Sequence, residues 1–233
     1  MVLKKDGEFG KSYNGCHYKR VLIEYCPMEK DKKNLNRLIL ASQSPRRSYL
    51  LKQAGISFDV LPANIQEKMI EGEPPESYVQ RLSREKAEFI AGRHPRRWVL
   101  GADTVVVIDD RLLEKPDSMG SAVAMLKRLS NRTHTVYTGF TICCLDKNTT
   151  ITRAVATQVK FKQLTDREIE WYTATEEPFD KAGAYAIQGL GTFLVKSIDG
   201  SYTNVVGLPV CEVIEILLEQ GVITLSEMGN NDE

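Results

Sequence analysis

Leu38-Ile39-Leu40-Ala41-Ser42-Gln43-Ser44-Pro45-Arg46-Arg47-Ser48 is a short apolar run that stops at small polar residues and then presents two adjacent arginines. The order predicts a strand, a tight turn and a helix start. Ser44 suits the N-cap because its hydroxyl can accept from an orphan backbone N–H, and Pro45 suits the first helical position, where no donor is needed. Both arginines then fall in the first helical turn. There, exposed N–H groups, the positive end of the helix dipole and two guanidiniums together favour a polyanion such as a triphosphate. Read alone, the stretch also fits a solvated arginine pair on an ordinary helix.

Outward from this turn, Leu50, Leu51 and Ala54 continue the helix to Gly55, a left-handed C-cap candidate, and residues 56–61 alternate like a strand. The polar segment 64–75 carries Glu67, Lys68, Glu71 and Glu73, and reads either as a loop flanking a cleft or as solvated linker. In the helical pattern 76–91, Lys86 shares the apolar stripe of Val79, Leu82 and Phe89. It either snorkels or reaches a phosphate.

Residues 98–108, Trp-Val-Leu-Gly-Ala-Asp-Thr-Val-Val-Val-Ile, read as a strand buried on both sides yet interrupted by Asp103. A carboxylate inside such a strand is costly unless paired or metal-bound, which makes Asp103 a functional candidate; the alternative is an Asp that caps a turn. Asp109-Asp110 predicts a hairpin turn, Leu113-Glu114-Lys115-Pro116 sets an acid and a base beside a rigid proline, and residues 121–129 have helical spacing. Two alternating runs, 133–145 and 151–161, flank Asp146-Lys147-Asn148 and predict an antiparallel hairpin. Thr165-Asp166-Arg167-Glu168 has capping-box spacing and opens a helix through Ala174. The charged loop 177–189 runs into small residues that let backbone approach a ligand. A strand over 193–198, a turn at Asp199-Gly200, and an amphipathic helix from Pro209 to Gly221 complete the pattern.

Composition bounds what these pieces can build. The chain of 233 residues, 42% hydrophobic and 27% charged, is sufficient for one large α/β domain or two lobes sharing a cleft. Its 31 basic and 31 acidic side chains cancel, so no global field favours a nucleic-acid polymer or an anionic membrane, and any anion site is local. The longest apolar runs, such as residues 105–108, fall far short of the ~20 residues of a membrane span. Five cysteines, odd in number and without metal-ligand spacing, argue against a disulfide framework or structural zinc and for a reducing, cytoplasmic compartment. Spacing leaves a catalytic Cys or His open. Residues 1–33 lack a sustained apolar period and read as a poorly ordered extension with no signal-peptide core, Met28 being a second candidate start; residues 224–233 read as a flexible tail.

From about Leu38 to Val222 the chain resembles the Maf-like nucleotide pyrophosphatases. The resemblance rests on residues 41–47, Gly101-Ala102-Asp103-Thr104, Leu113-Glu114-Lys115-Pro116, residues 177–185, Gln188-Gly189 and residues 200–209, in that order. It implies a domain over 34–223 with a mixed sheet and flanking helices, in two lobes around a deep cleft. The implied protein is a homodimer that hydrolyses nucleoside triphosphates to monophosphate and pyrophosphate with Mg²⁺ or Mn²⁺. By the family pattern Asp103 is the proton acceptor and, with Glu67, a metal ligand. Ser42, Arg46, Arg47, Lys86, Thr104, Lys115 and Gln188 match its substrate-binding positions, and the four cationic side chains among them suit charge neutralisation on departing pyrophosphate.

Thr104 matches the branch acting on dTTP and UTP, whereas the branch acting on 7-methyl-GTP carries a larger amide there. Gln188 offers a donor and an acceptor that can meet the O4 and N3–H of uracil or thymine. The expected activity therefore clears unwanted pyrimidine nucleotides, modified analogues included. Alternatives are a non-hydrolytic nucleotide sensor linked to cell-division arrest, a 7-methyl-GTP pyrophosphatase, and a scaffold whose basic turn holds an acidic partner segment.

Overall fold

The computed structural model describes residues 37–226 and Met228; residues 1–33, most of 224–233 and Met28 lie outside or largely outside that range. The opening pattern folds as read. β1 (Leu38–Leu40) ends at Ala41, and α1 (Pro45–Gln53) begins at N-cap Ser44, whose hydroxyl accepts from the Arg47 N–H. β2 (Phe58–Val60), α2 (Pro75–Ala91), β3 (Val99–Ile108) and β4 (Arg111–Leu113) follow. Asp109 and Asp110, both with positive φ, make the β3–β4 turn. Next come α3 (Met119–Leu129), β5 (Thr133–Cys144), β6 (Thr149–Phe161), α4 (Asp166–Thr173), β7 (Val195–Asp199), α5 (Tyr202–Val206) and α6 (Val210–Glu219).

Among the departures from the sequence reading, three have a local cause. Helix α3 starts earlier because Ser118 and Ser121 cap each other reciprocally. The segment 189–194 forms a 3₁₀ turn, so β7 begins at Val195. Residues 202–206, unassigned by periodicity, form a short helix because Ser201 caps the Asn204 N–H at 3.2 Å.

One seven-stranded sheet runs β2-β1-β3-β5-β6-β7, with β4 added to β3. The β2-β1-β3 pairs are parallel and the remainder antiparallel, giving the mixed α/β sheet expected. Both faces are covered, which explains why β1 is apolar throughout. Leu38, Leu40, Leu100, Ala102 and Cys144 pack with α1 and α6 residues on one face, whereas Ile39, Val99 and Cys143 pack with Ala87 and Ile90 of α2 on the other. Further along the first face, Val106, Ile108 and Val136 pack with α3 and α4 residues. Among the described residues no helix is long and apolar enough to cross a membrane.

Two features of β3 create the site. On its β1 side the strand pairs with β1 through Val99 and Leu100 and with β4 only from Val106 onward. Residues 101–105 therefore face a gap in the sheet beyond the carboxyl end of β1, the position where open α/β sheets take ligands. On the α2 side, glycines let the helix lie directly on the strands. A Cβ on Gly101 would sit 2.3 Å from the Ser83 carbonyl oxygen, and one on Gly139, which pairs with Asp103, would sit 2.3 Å from the Val79 carbonyl. Gly101→Ala is therefore expected to overpack the α2–β3 contact at a cost of about 1–3 kcal/mol, lowering Tm by roughly 3–10 °C in a domain of this size. Thermal unfolding followed by circular dichroism checks it; an unchanged Tm would show that α2 yields freely there.

Candidate active site

A cleft of about 970 Å³ opens at this gap, and its walls include Ser42, Arg46, Arg47, Glu67, Lys86, Asp103, Thr104, Lys115 and Gln188. All the residues singled out from sequence thus line one cavity. The size suits a small-molecule ligand.

Asp103 lies within β3 and is only 7% exposed, so it caps no turn. Its Oδ1 accepts from Lys86 Nζ at 2.6 Å, and the same ammonium lies 2.7 Å from Glu67 Oε1. Lys86 therefore does not snorkel to solvent: α2, held close by Gly101 and Gly139, drives it into the cleft between two carboxylates. Burial raises the Asp103 carboxyl above its ordinary range, and Glu67 adds to that; Lys86 and then Arg47 pull the other way without cancelling it. A carboxyl raised in this manner is better matched to accepting a proton near neutrality than a solvated one.

Alternation along β3 turns Thr104 to the opposite face, where Arg47 arrives from the first turn of α1. Arg47 donates from Nη1 to Ser42 Oγ at 2.9 Å, from Nε to the Gly207 carbonyl at 2.8 Å and from Nη2 to Thr104 Oγ1 at 3.0 Å. Thr104 Oγ1 is also 2.9 Å from Thr138 Oγ1, whose hydroxyl donates to the Asn204 carbonyl at 3.0 Å. The fork ties α1, β3, β5 and the end of α5 together and leaves N–H groups on both terminal nitrogens of Arg47 for a ligand. Arg46 instead meets Asp180 across the cleft mouth, Nη1 to Oδ2 at 2.8 Å. Burial pushes the Asp180 carboxyl up, but its bonds to Lys181 and Arg46 outweigh that and hold it low.

Sequence reading missed Tyr78, Glu114, Asp180 and Gly207 in the lining. Tyr78 donates to Glu114 Oε1 at 3.1 Å, and burial, with Asp103 next, raises its hydroxyl pKa. The charged turn 177–181 was the available signal for Asp180, but nothing local pairs it with a residue 134 positions away. None of the histidines and cysteines within the described residues lines the cleft. His134 is buried with its Nε2 2.7 Å from Tyr185 Oη, and burial holds its pKa down to about 3. Cys143, Cys144 and Cys211 are free thiols outside the lining; His17, Cys16 and Cys26 lie outside the described residues.

Among the described residues no three His, Cys, Asp or Glu side chains converge as a metal cage. Asp103 and Glu67 nevertheless converge in the cleft, Oδ1 of one and Oε1 of the other both meeting the Lys86 ammonium. Two carboxylates suit a magnesium-like ion that takes its remaining ligands from water and phosphate oxygens.

A cleft in the gap of a mixed α/β sheet, with a buried carboxylate at its centre and Arg46, Arg47, Lys86, Lys115 and Lys181 in its walls, is suited to an anionic small-molecule ligand. The family model described as Maf-like protein matches residues 37–220, and the chain belongs to that family. A relative from Syntrophus aciditrophicus (strain SB), named dTTP/UTP pyrophosphatase, is 51% identical over 201 residues, covering 84% of this chain and 98% of that one. Relatives of the same name from Geotalea uraniireducens (strain Rf4) and Myxococcus xanthus (strain DK1622) are 49% and 50% identical, covering 80% and 79% of this chain and 96% and 93% of theirs.

Proposed function

We propose that this protein hydrolyses dTTP and UTP, with modified pyrimidine analogues, to the monophosphate and pyrophosphate, removing nucleotides that should not persist. The observation that carries the proposal is the Asp103 carboxylate, buried at the centre of a cleft that also holds Arg46, Arg47, Lys86 and Lys115. Half-identity to relatives named for this reaction supports it.

In the proposed reaction water adds to the α-phosphorus, the bond to the bridging αβ oxygen breaks, and pyrophosphate leaves with the bridging electrons. Asp103 accepts the water proton as the new P–O bond forms. Lys86 keeps the carboxylate in place and favours its ionised form, and its ammonium, with the Lys115 ammonium and the guanidiniums of Arg46 and Arg47, offsets charge that develops on the leaving group. Asp103 and Glu67 are the residues that would hold a Mg²⁺ or Mn²⁺ ion, which when bound would supply further charge neutralisation on the phosphates. Gln188 and Thr104 sit on walls suited to selecting the base. The reading includes a homodimer, as the family resemblance implies, and a cytoplasmic location, since free, buried Cys143 and Cys144 suit a reducing compartment.

A non-hydrolytic sensor has no use for a buried, proton-accepting carboxylate, which costs stability, and Thr104 replaces the larger amide of the 7-methyl-GTP branch. The test is pyrophosphate release from dTTP, UTP, CTP, GTP and 7-methyl-GTP with Mg²⁺ or Mn²⁺ present. One or two hydrogen bonds left unpaired by the wrong base are worth about 1–3 kcal/mol each. kcat/KM for dTTP and UTP is therefore expected to exceed that for the purines by about tenfold or more. A purine triphosphate as best substrate overturns the pyrimidine assignment, and no pyrophosphate from any of them overturns the enzyme.

A further inference from the structure

The loop that carries Gln188 is held by a single carboxylate outside the catalytic cluster. Glu177 opens the 3₁₀ turn Glu177–Asp180. Its Oε2 accepts from the Leu190 N–H at 3.0 Å, and its Oε1 accepts from the Gly191 N–H at 2.9 Å and from Tyr172 Oη at 2.9 Å. Tyr172 is fully buried, and its hydroxyl oxygen in turn accepts from the Ala186 N–H at 3.1 Å. Backbone on both sides of Gln188 is thereby tied to one side chain, directly beyond it and through Tyr172 before it.

The fit is close. Gly189, at φ +72°, leaves room for the carboxylate, since a Cβ there would sit 2.6 Å from Glu177 Oε2. Thr192 Oγ1 donates back to the Gly189 carbonyl at 2.7 Å, tightening the same turn. The other end of the Glu177–Asp180 turn holds Arg46 through Asp180, so one short turn braces an arginine and the Gln188 loop. A carboxylate accepts at both oxygens and so satisfies two N–H groups and a hydroxyl at once, whereas an amide in its place offers one acceptor and turns a second N–H donor against Leu190 or Gly191. No other acidic type reaches equally: aspartate is a methylene shorter.

We propose that Glu177 is the residue that positions Gln188 for base recognition, so that base selectivity depends on the Glu177 carboxylate although it touches no base. The proposal rests on Gln188 reading the base. The test compares Glu177→Gln, Gln188→Ala and the double variant by kcat and KM for UTP and CTP, with amide hydrogen exchange at Leu190 and Gly191 and with Tm. Glu177→Gln is expected to cut the UTP-over-CTP ratio of kcat/KM by about tenfold, mainly through KM for UTP, because one or two base hydrogen bonds lose their alignment. It is also expected to speed exchange at Leu190 and Gly191, and the double variant is expected to be no less selective than Gln188→Ala alone.

If Gln188→Ala keeps the wild-type ratio, base reading by Gln188 fails and the proposal falls with it. If Gln188→Ala loses the ratio while Glu177→Gln keeps it, the clamp alone is overturned. A general structural role is recognised by kcat and Tm falling together for both nucleotides at an unchanged ratio, and that outcome also overturns the proposal. Glu177→Asp, which keeps the charge and not the reach, is expected to resemble Glu177→Gln; full selectivity in it overturns the clamp, since the paired hydrogen bonds need the longer side chain.

Discussion

Asp103→Asn is expected to fold, to bind UTP, and to turn it over about a hundredfold or more slowly than the parent protein, because a near-isosteric amide cannot take the proton from water. Single-turnover pyrophosphate release, with nucleotide binding measured separately by calorimetry, checks it; a rate above about a tenth of the parent value removes Asp103 from the role of base. The pH dependence sharpens the test. Burial first, with Glu67 adding to it, raises the Asp103 pKa against the pull of Lys86 and Arg47, so the acid limb of kcat/KM should lie above the ordinary carboxylate range and vanish in the amide variant.

The sign for stability follows from the same shift. A group whose folded-state pKa is raised contributes stability below its unfolded pKa, and that contribution is lost as pH rises through the folded value. Tm of Asp103→Asn relative to the parent is therefore expected to improve as pH rises through that window. A gap moving the opposite way would mean that Lys86 wins over burial.

Arg47 carries the second large effect. Removing it by Arg47→Ala strips donors from Ser42 Oγ, Thr104 Oγ1 and the Gly207 carbonyl and leaves a cavity in a buried wall, at a cost of about 2–4 kcal/mol. Activity should fall further than stability, since the fork sets the cleft wall formed by Thr104 and, on the proposed reading, carries positive charge toward the substrate phosphates. A loss of at least about a hundredfold in kcat/KM is expected, in line with removing a preorganised charge-stabilising donor. Arg47→Lys keeps the charge on a flexible stem but cannot reproduce a three-way fork. It is expected to recover part of the Tm and less than about a tenth of the activity; near-parental kinetics with lysine would show that charge alone suffices.

The residues that mattered most in the sequence were those whose meaning is local. Ser44 and Pro45 start α1 as read because capping and a fixed φ are settled within one turn. Asp103 stood out because a carboxylate in a doubly apolar strand is anomalous whatever surrounds it. Asp109-Asp110 and the Thr165–Glu168 capping box also folded as their chemistry requires, and the mixed α/β class followed from the order of such elements.

What the sequence left open was direction and partnership. Lys86 had two readings until Gly101 and Gly139 brought α2 down onto the sheet and pointed its ammonium at Asp103, 17 positions on, and Glu67. Arg47 read as a phosphate ligand or as one of a solvated arginine pair, yet its Nε bond ends on a carbonyl 160 positions away. The gap along β3, the helix at 202–206 and the Glu177 clamp gave no periodic signal, because each depends on which strands pair and which backbone a side chain meets after packing. Helix starts and turns are fixed by neighbours in the chain; the aim of a buried side chain is fixed by neighbours in space, and in this protein that is where the candidate chemistry resides.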